Sequence, residues 1–435
     1  MSKNSLILLS LIQILILTFE GSCRSIEFVP TQRYLHTATH IDNKLYILGG
    51  LTFNENNYIT EKNKAFIGTD KQFFYFDMSI PFNTKTMLWV DQTDFDIIPN
   101  HIAATSSIGC ANNNTFLLYG GKSLLSRMDT NLVYAFNTQT NSWSVPKLTD
   151  GNFNIKKDSL KGIMHNGKMY LFGGLIDGQL SNDMLIFDTI NMNFTTGSSV
   201  NAPSPRKHYG AALFDNQYIA YFGGKADDIG EFQMSEIHIY DTMNDSWTNR
   251  KSTGNVPTAR SGFSVVLGLD GKRLIIFGGN QTYLPEALYV LDLQTFVWSI
   301  PKTSSGRKPK ARFLHQANVI GNFMVITFGM GYNTTLKEHD VLLLDISNND
   351  EYKWTNVFDP SPPETTSLPM PPTPSSSSFY LQQSNGLGAL VGAVIGSLFS
   401  GISLSFGSIL LYRWHKDRKY RRQAIPTPGE RKIIN

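Results

Sequence analysis

Cysteine, histidine and tyrosine are the residues of this chain able to hold a redox metal, and their placement does not suit one. Of the two cysteines, Cys23 lies in the amino-terminal leader described below, which leaves Cys110. A lone cysteine forms no intramolecular disulfide, and inside an apolar strand-like run it reads as a buried, inert thiol. His36, His208 and His315 fall 13, 15 and 14 residues before Gly49, Gly223 and Gly329, so repeat register accounts for them without chemistry. His165 belongs to a hairpin turn. No Tyr–His pair has metal-like spacing, and no catalytic, cofactor or metal site is expected. Two charged groups remain. Lys302, Arg307, Lys308, Lys310 and Arg312 run without an intervening acid, and Asp227, Asp228, Glu231 and Glu236 gather elsewhere. Both read as solvated loops before they read as a charged site.

The elements that carry these residues repeat. Six hydrophobic runs end on a glycine pair or its relic: Gly49-Gly50, Gly120-Gly121, Gly173-Gly174, Gly223-Gly224, Gly278-Gly279 and Gly329-Met330. The first glycines are spaced by 71, 53, 50, 55 and 51 residues. A period near 50 residues means stacked copies of one supersecondary unit. Each copy holds four strand-like runs. Asp42-Asn43, Asn166-Gly167, Asp215-Asn216, Asp270-Gly271 and Gly321-Asn322 separate the first two runs and tolerate a positive φ. The third run ends on Asp77, Asn137, Asp188, Asp241, Asp292 or Asp345. A large aromatic follows: Trp89, Trp143, Phe194, Trp247, Trp298 or Trp354. The pattern describes a four-stranded antiparallel sheet covered on both faces by its neighbours, with the aromatics packing sheet on sheet.

On these residues the chain resembles the kelch-repeat β-propellers over about residues 33–357. The family pattern sets an Arg and a His or Ser in the first strand, a diglycine after the second, a Tyr/Phe-Asp pair after the third and a Trp in the fourth. The Arg is matched by Arg33, Arg206, Arg260 and Arg312; copies two and three offer Asn100-His101 and Lys161-Gly162 instead, and Met330 breaks the sixth diglycine. The resemblance implies an all-β, six-bladed propeller over residues 24–359. Seven blades is the alternative, because the first copy carries an extra stretch, Leu51 to Gln72; separately, Ile26 to Val29 offers one more strand at the seam.

The ends read differently. Residues 1–23 have a basic start, an apolar run from Leu6 to Phe19 and small residues before Cys23, the pattern of a secretory signal peptide. Residues 360–385 hold seven prolines and read as an extended stalk. Within residues 386–412, Leu387 to Tyr412 is uncharged for 26 residues, long enough for one transmembrane helix through the lipid bilayer. The tail, 413–435, opens with Arg413, Lys416, Arg418, Lys419, Arg421 and Arg422, which marks it as cytoplasmic. A single-pass type I protein is expected, at the plasma membrane or elsewhere in the secretory pathway. Gly388, Gly392 and Gly396 line one face of the span and suit self-association. Outside leader and tail the chain has 29 basic and 32 acidic residues, a net charge of −3 that gives no reason to expect nucleic acid. Asn113, Asn193, Asn244, Asn280 and Asn333 are candidate N-glycosylation sites.

Strand direction sorts the loops. Those joining strands two to three and blade to blade share one face, and the long ones fall there: Leu51 to Gln72, Lys122 to Leu132, Ser144 to Leu160, Lys225 to Glu236 and Ser299 to Ala311. Recognition of a protein or glycan partner is expected on that face. The resemblance also implies an alternative, a membrane-anchored carbohydrate or alcohol oxidase of the galactose oxidase type. That chemistry needs two Tyr, two His and a Cys joined to one Tyr, a set this chain does not visibly supply.

Overall fold

The computed structural model describes residues 28–52, 73–93, 101–109, 113–123, 131–150, 153–279, 286–304, 308–331 and 341–360. The leader, the 386–412 span with its glycines, the tail, Cys110, Arg307, Asn280 and Asn333 lie outside them. The described residues form six blades and no helix. No helix among them is long and apolar enough to cross a membrane.

Each blade is an antiparallel sheet whose strands follow sequence order from the axis outward. In blade 1 these are Thr37–Ile41, Lys44–Leu48, Phe73–Asp77 and Val90–Asp91. In blade 4 they are Gly210–Phe214, Tyr218–Phe222, Glu236–Asp241 and Ser246–Lys251. The second strands are buried almost throughout, as a sheet covered on both faces requires. Blades 5 and 6 gain a short fifth strand: Thr253–Gly254 and Thr303–Ser304, from the preceding linkers, pair in parallel with the outer strands Val297–Ser299 and Tyr352–Thr355. The stretch from Ser299 to Ala311 is therefore partly a strand that laces one blade to the next.

Six apolar clusters fill the six gaps between blades, each built from two adjacent sheets. Every gap receives one outer-strand aromatic, which points back at the preceding blade. Trp143, Phe194, Trp247, Trp298 and Trp354 are buried and Trp89 partly so. Trp298 lies against Phe222, and its indole Nε1–H donates to Ser252 Oγ at 2.9 Å. Trp298→Ala should cost about 3–5 kcal/mol, the usual price of emptying so large a buried site. Urea unfolding would measure it, and an unchanged midpoint would mean that the ring carries no packing.

The acid or amide that ends each third strand is explained by local hydrogen bonding. Asp188 Oδ1 accepts the backbone N–H groups of Ile190 and Asn191, and Asp241 and Asp292 repeat the arrangement. Four residues on, Asn141, Met192, Asp245 and Phe296 take φ of about 50° to turn the chain into the outer strand.

Two circuits of backbone hydrogen bonds settle the blade count. The N–H of Leu35 donates to Leu314, Leu314 to Gly262, Gly262 to His208, His208 to Ser159, Ser159 to Ala103 and Ala103 to Leu35. All six residues have φ between 55° and 67°. The second circuit runs from the second glycine of each blade to the next blade: Gly50 to His101, Gly121 to Lys157, Gly174 to Arg206, Gly224 to Arg260, Gly279 to Arg312 and Gly329 to Arg33. Both circuits close after six links, so the seventh blade is excluded. The seam uses the same links, reinforced by Val357–Phe358 pairing with Phe82–Asn83 and by Phe358 stacked on Phe82. Phe28 packs edge-on against Phe74 there; neither Phe28 nor Val29 lies in a strand, and Ile26 lies outside the described residues.

The second circuit also corrects the sixth copy. Gly329 holds the place of a second glycine, and Phe328, at φ 49°, holds the place of a first. The relic is thus Phe328-Gly329, and Met330 follows it. With that register His36 and His315 are equivalent and His208, two residues earlier relative to its glycines, is not.

Candidate functional site

The starts of the six inner strands meet at the propeller axis around a cavity of about 80 Å³. They are held by the arginines that precede them. Arg33, Arg206, Arg260 and Arg312 are buried, and each donates Nη1–H to the carbonyl at the first-glycine position of its own blade, at 3.0–3.3 Å. Arg312 therefore belongs to the scaffold and not to a charged loop. Lys157, not Lys161, replaces the arginine in blade 3: its buried ammonium donates to the Leu171 and Asp183 carbonyls and pairs with Asp183 Oδ1 at 2.9 Å. His101 takes the place in blade 2.

His36 and His315 stand three residues after their arginines. His36 Nε2 shares a hydrogen bond with Thr327 Oγ1 at 3.0 Å, and His315 Nε2 with Ser264 Oγ at 2.8 Å. Burial, followed by the charge of the neighbouring arginine, holds both imidazoles neutral, with His315 pushed down to about 3. Both are wedged into blade interfaces. His208, in the inner circuit, is pushed down to about 4 by burial and by Lys225 and Lys207. His165 ends an inner strand beside its turn. Among the described residues no three His, Cys, Asp or Glu side chains stand close enough to share a metal ion.

Around the cavity the long-loop side is a built surface. In five blades the segment after the glycine pair lies antiparallel to the segment before the inner strand, as in Arg33–Tyr34 with Leu51–Thr52 and His101–Ile102 with Lys122–Ser123. Asp158 with Leu175, Lys207 with Lys225 and Phe313 with Met330 repeat this as single bridges. In blade 4 the loop folds into a hairpin, Lys225–Ala226 with Gly230–Glu231, whose tip exposes Asp228 and Ile229. Its charges are largely committed. Asp227 pairs with Lys207 at 2.7 Å, and Glu231 accepts from Ser261 Oγ. Lys308 of the basic group pairs with Glu286 at 3.1 Å. Of the sequon residues described, Asn113 and Asn244 are exposed, and Asn193 is partly buried in an outer strand.

The KLHDC2/KLHL20/DRC7 Kelch-repeats domain family matches residues 36–279 and 222–383. The chain belongs to the kelch-repeat family. Among kelch proteins, Kelch domain-containing protein 3 of Bos taurus is 27% identical over 259 residues, 54% of this chain and 65% of that protein. Acyl-CoA-binding domain-containing protein 4 of Arabidopsis thaliana is 27% identical over 312 residues, 70% of this chain and 44% of that protein. Host cell factor of Drosophila melanogaster is 28% identical over 218 residues, 45% of this chain and 14% of that protein. The chain thus spans about two thirds or less of the relatives it matches. The solved structure of YjhT shares the fold, with a TM-score of 0.55 at 14% identity, over 75% of this chain and 99% of YjhT. The diglycines, the arginines and the outer aromatics of this kelch propeller all hold the frame together.

Proposed function

We propose that this kelch propeller is a non-catalytic interaction module that binds a protein partner through its long-loop face, held outside the cytoplasm by a single membrane span. The observation that carries the binding face is the blade 4 hairpin: a short hydrogen-bonded ladder presenting Asp228 and an Ile229 that is 65% exposed, with its neighbour Asp227 held by the ion pair to Lys207. A hydrogen-bonded hairpin on a closed frame keeps the entropic cost of binding low. The leader, the 26-residue apolar run and the basic cluster after it support the anchoring. The same face suits a glycan in place of a protein, and the span's glycine stripe suits self-association.

One experiment on intact cells addresses both parts. Protease added outside should remove the propeller and spare an epitope at the tail, once the compartment is opened if the membrane is internal. Cross-linking from position 228 should capture a defined partner. Asp228→Lys with Ile229→Glu should weaken that partner at least about tenfold at unchanged stability, the loss of a central contact. Met243→Glu, in a turn on the opposite face, should leave it unchanged. A partner lost on Met243→Glu and kept on the loop variant would overturn the face; a tail cleaved before the propeller would overturn the topology.

A further inference from the structure

The repeat makes one residue at the axis stand out. Four positions after the arginine place, the six blades carry Thr37, Thr105, Lys161, Gly210, Ser264 and Gln316. Five are neutral and one is a lysine. Lys161 lines the axial cavity, is partly buried, and donates from its ammonium to Gln316 Oε1, 3.3 Å away on blade 6. An ammonium carries three donors, and a neutral amide at that distance fills one of them without offsetting the charge. No Asp or Glu is among the described residues lining the cavity. Burial lowers the Lys161 pKa, the mark of a charge removed from water without a counter-charge. Of the lysines that act on the nearby His208, Lys122 and Lys207 are paired with Asp158 and Asp227, and Lys225 adds a further positive charge.

We propose that the axial cavity holds one small free oxyanion, of the charge and size of phosphate or acetate, against the Lys161 ammonium. The cavity of about 80 Å³ has room for such an ion. The ion supplies the missing charge, and turning the Gln316 amide over would present its N–H groups to the same oxygen atoms. The ion would bridge blades 3 and 6 across the axis. The proposal stands independently of the partner-binding reading, because it concerns a site on the axis and not the loop tips.

The test uses the purified full-length chain, titrated with sodium phosphate, and separately with sodium acetate, at constant ionic strength made up with chloride. Either oxyanion should raise the Tm saturably, by about 3 °C at high occupancy. Lys161→Met, close to Lys in shape, should fold with a Tm at or above that of the ion-free parent and show no such rise. Should Lys161→Met not fold, Lys161→Gln keeps the polar contact and removes the charge. An absent rise in the parent, an equal rise in either variant, or an equal rise with chloride alone would each overturn the site.

Discussion

Acidification from pH 7 to pH 4 should unfold this propeller. Burial lowers six imidazoles, His40 and His165 among them, and four are held furthest below their usual range: His315 at about 3, His208 and His238 at about 4, and His36 well below 6.5. Neighbouring cations, Arg312, Lys225, Arg206 and Arg33, push the same way. The unfolded chain takes up these protons near pH 6.5 and the folded chain does not. Each group therefore contributes its full stability above 6.5, and that contribution is lost as pH falls towards the folded value. Each extra proton bound on unfolding is worth about 1.4 kcal/mol per pH unit, so four give a slope of about 5 kcal/mol per unit. Two such units are comparable with the whole stability of a domain, about 5–15 kcal/mol. The turn carboxylates act later. Burial alone would raise Asp188, Asp241 and Asp292, but hydrogen bonds from their turns outweigh it and lower them, so their contribution is lost only below 3.8. Urea midpoints measured between pH 7 and pH 4.5 should fall steeply, and His238→Gln should reduce the slope by about one proton. A flat profile down to pH 5 would show that these rings take up protons in place.

Gly278→Ala should be nearly as damaging. A Cβ there would lie 2.0 Å from the Arg312 carbonyl oxygen, which is backbone and accepts from the Gly279 N–H. The φ of 76° adds strain of its own. Gly271→Ala separates the two effects: its φ is 67°, and a Cβ would meet nothing within 4 Å. Strain alone should cost about 1 kcal/mol at Gly271, and the clash should bring Gly278→Ala above about 3 kcal/mol. Equal thermal shifts in the two variants would refute the steric account. Blade 6 shows what tolerance of a side chain requires. Phe328 occupies the equivalent place because the seam has been rebuilt around it, with Phe74, Trp89 and His36 against its ring.

The residues that were legible in the sequence are those whose type is dictated locally. A diglycine favours two successive positive φ values, as Asp-Asn does in the hairpin turns, and an Asp or Asn suits a place where a side chain caps its own turn. Both could be read without a partner in view. What stayed hidden depends on partners. The inner circuit puts Leu35, Ala103, Ser159, His208 and Leu314 at positive φ, and nothing in those side chains signals it, because the conformation is imposed by a hydrogen bond to the next blade. Lys157 was hidden for the same reason: a lysine replaces the arginine only because the Asp183 and Leu171 carbonyls lie within its reach. Gly329 misled because a glycine followed by Met looks like a pair that has lost its second member, while the lost member is the first. The axial lysine became conspicuous only once its five neutral counterparts were aligned by those corrections.

The paired circuits have a consequence for how such a chain can change over generations. In an open array a repeat can be gained or lost at an end, and the remaining contacts are untouched. Here there is no end. Adding or deleting one copy would open two links at once and alter the angle at every other, so the number of repeats behaves as a conserved integer while individual copies drift. The copies already differ, with a histidine and a lysine in the arginine place and a phenylalanine in a glycine place, while the neighbours on both sides hold the hoop shut.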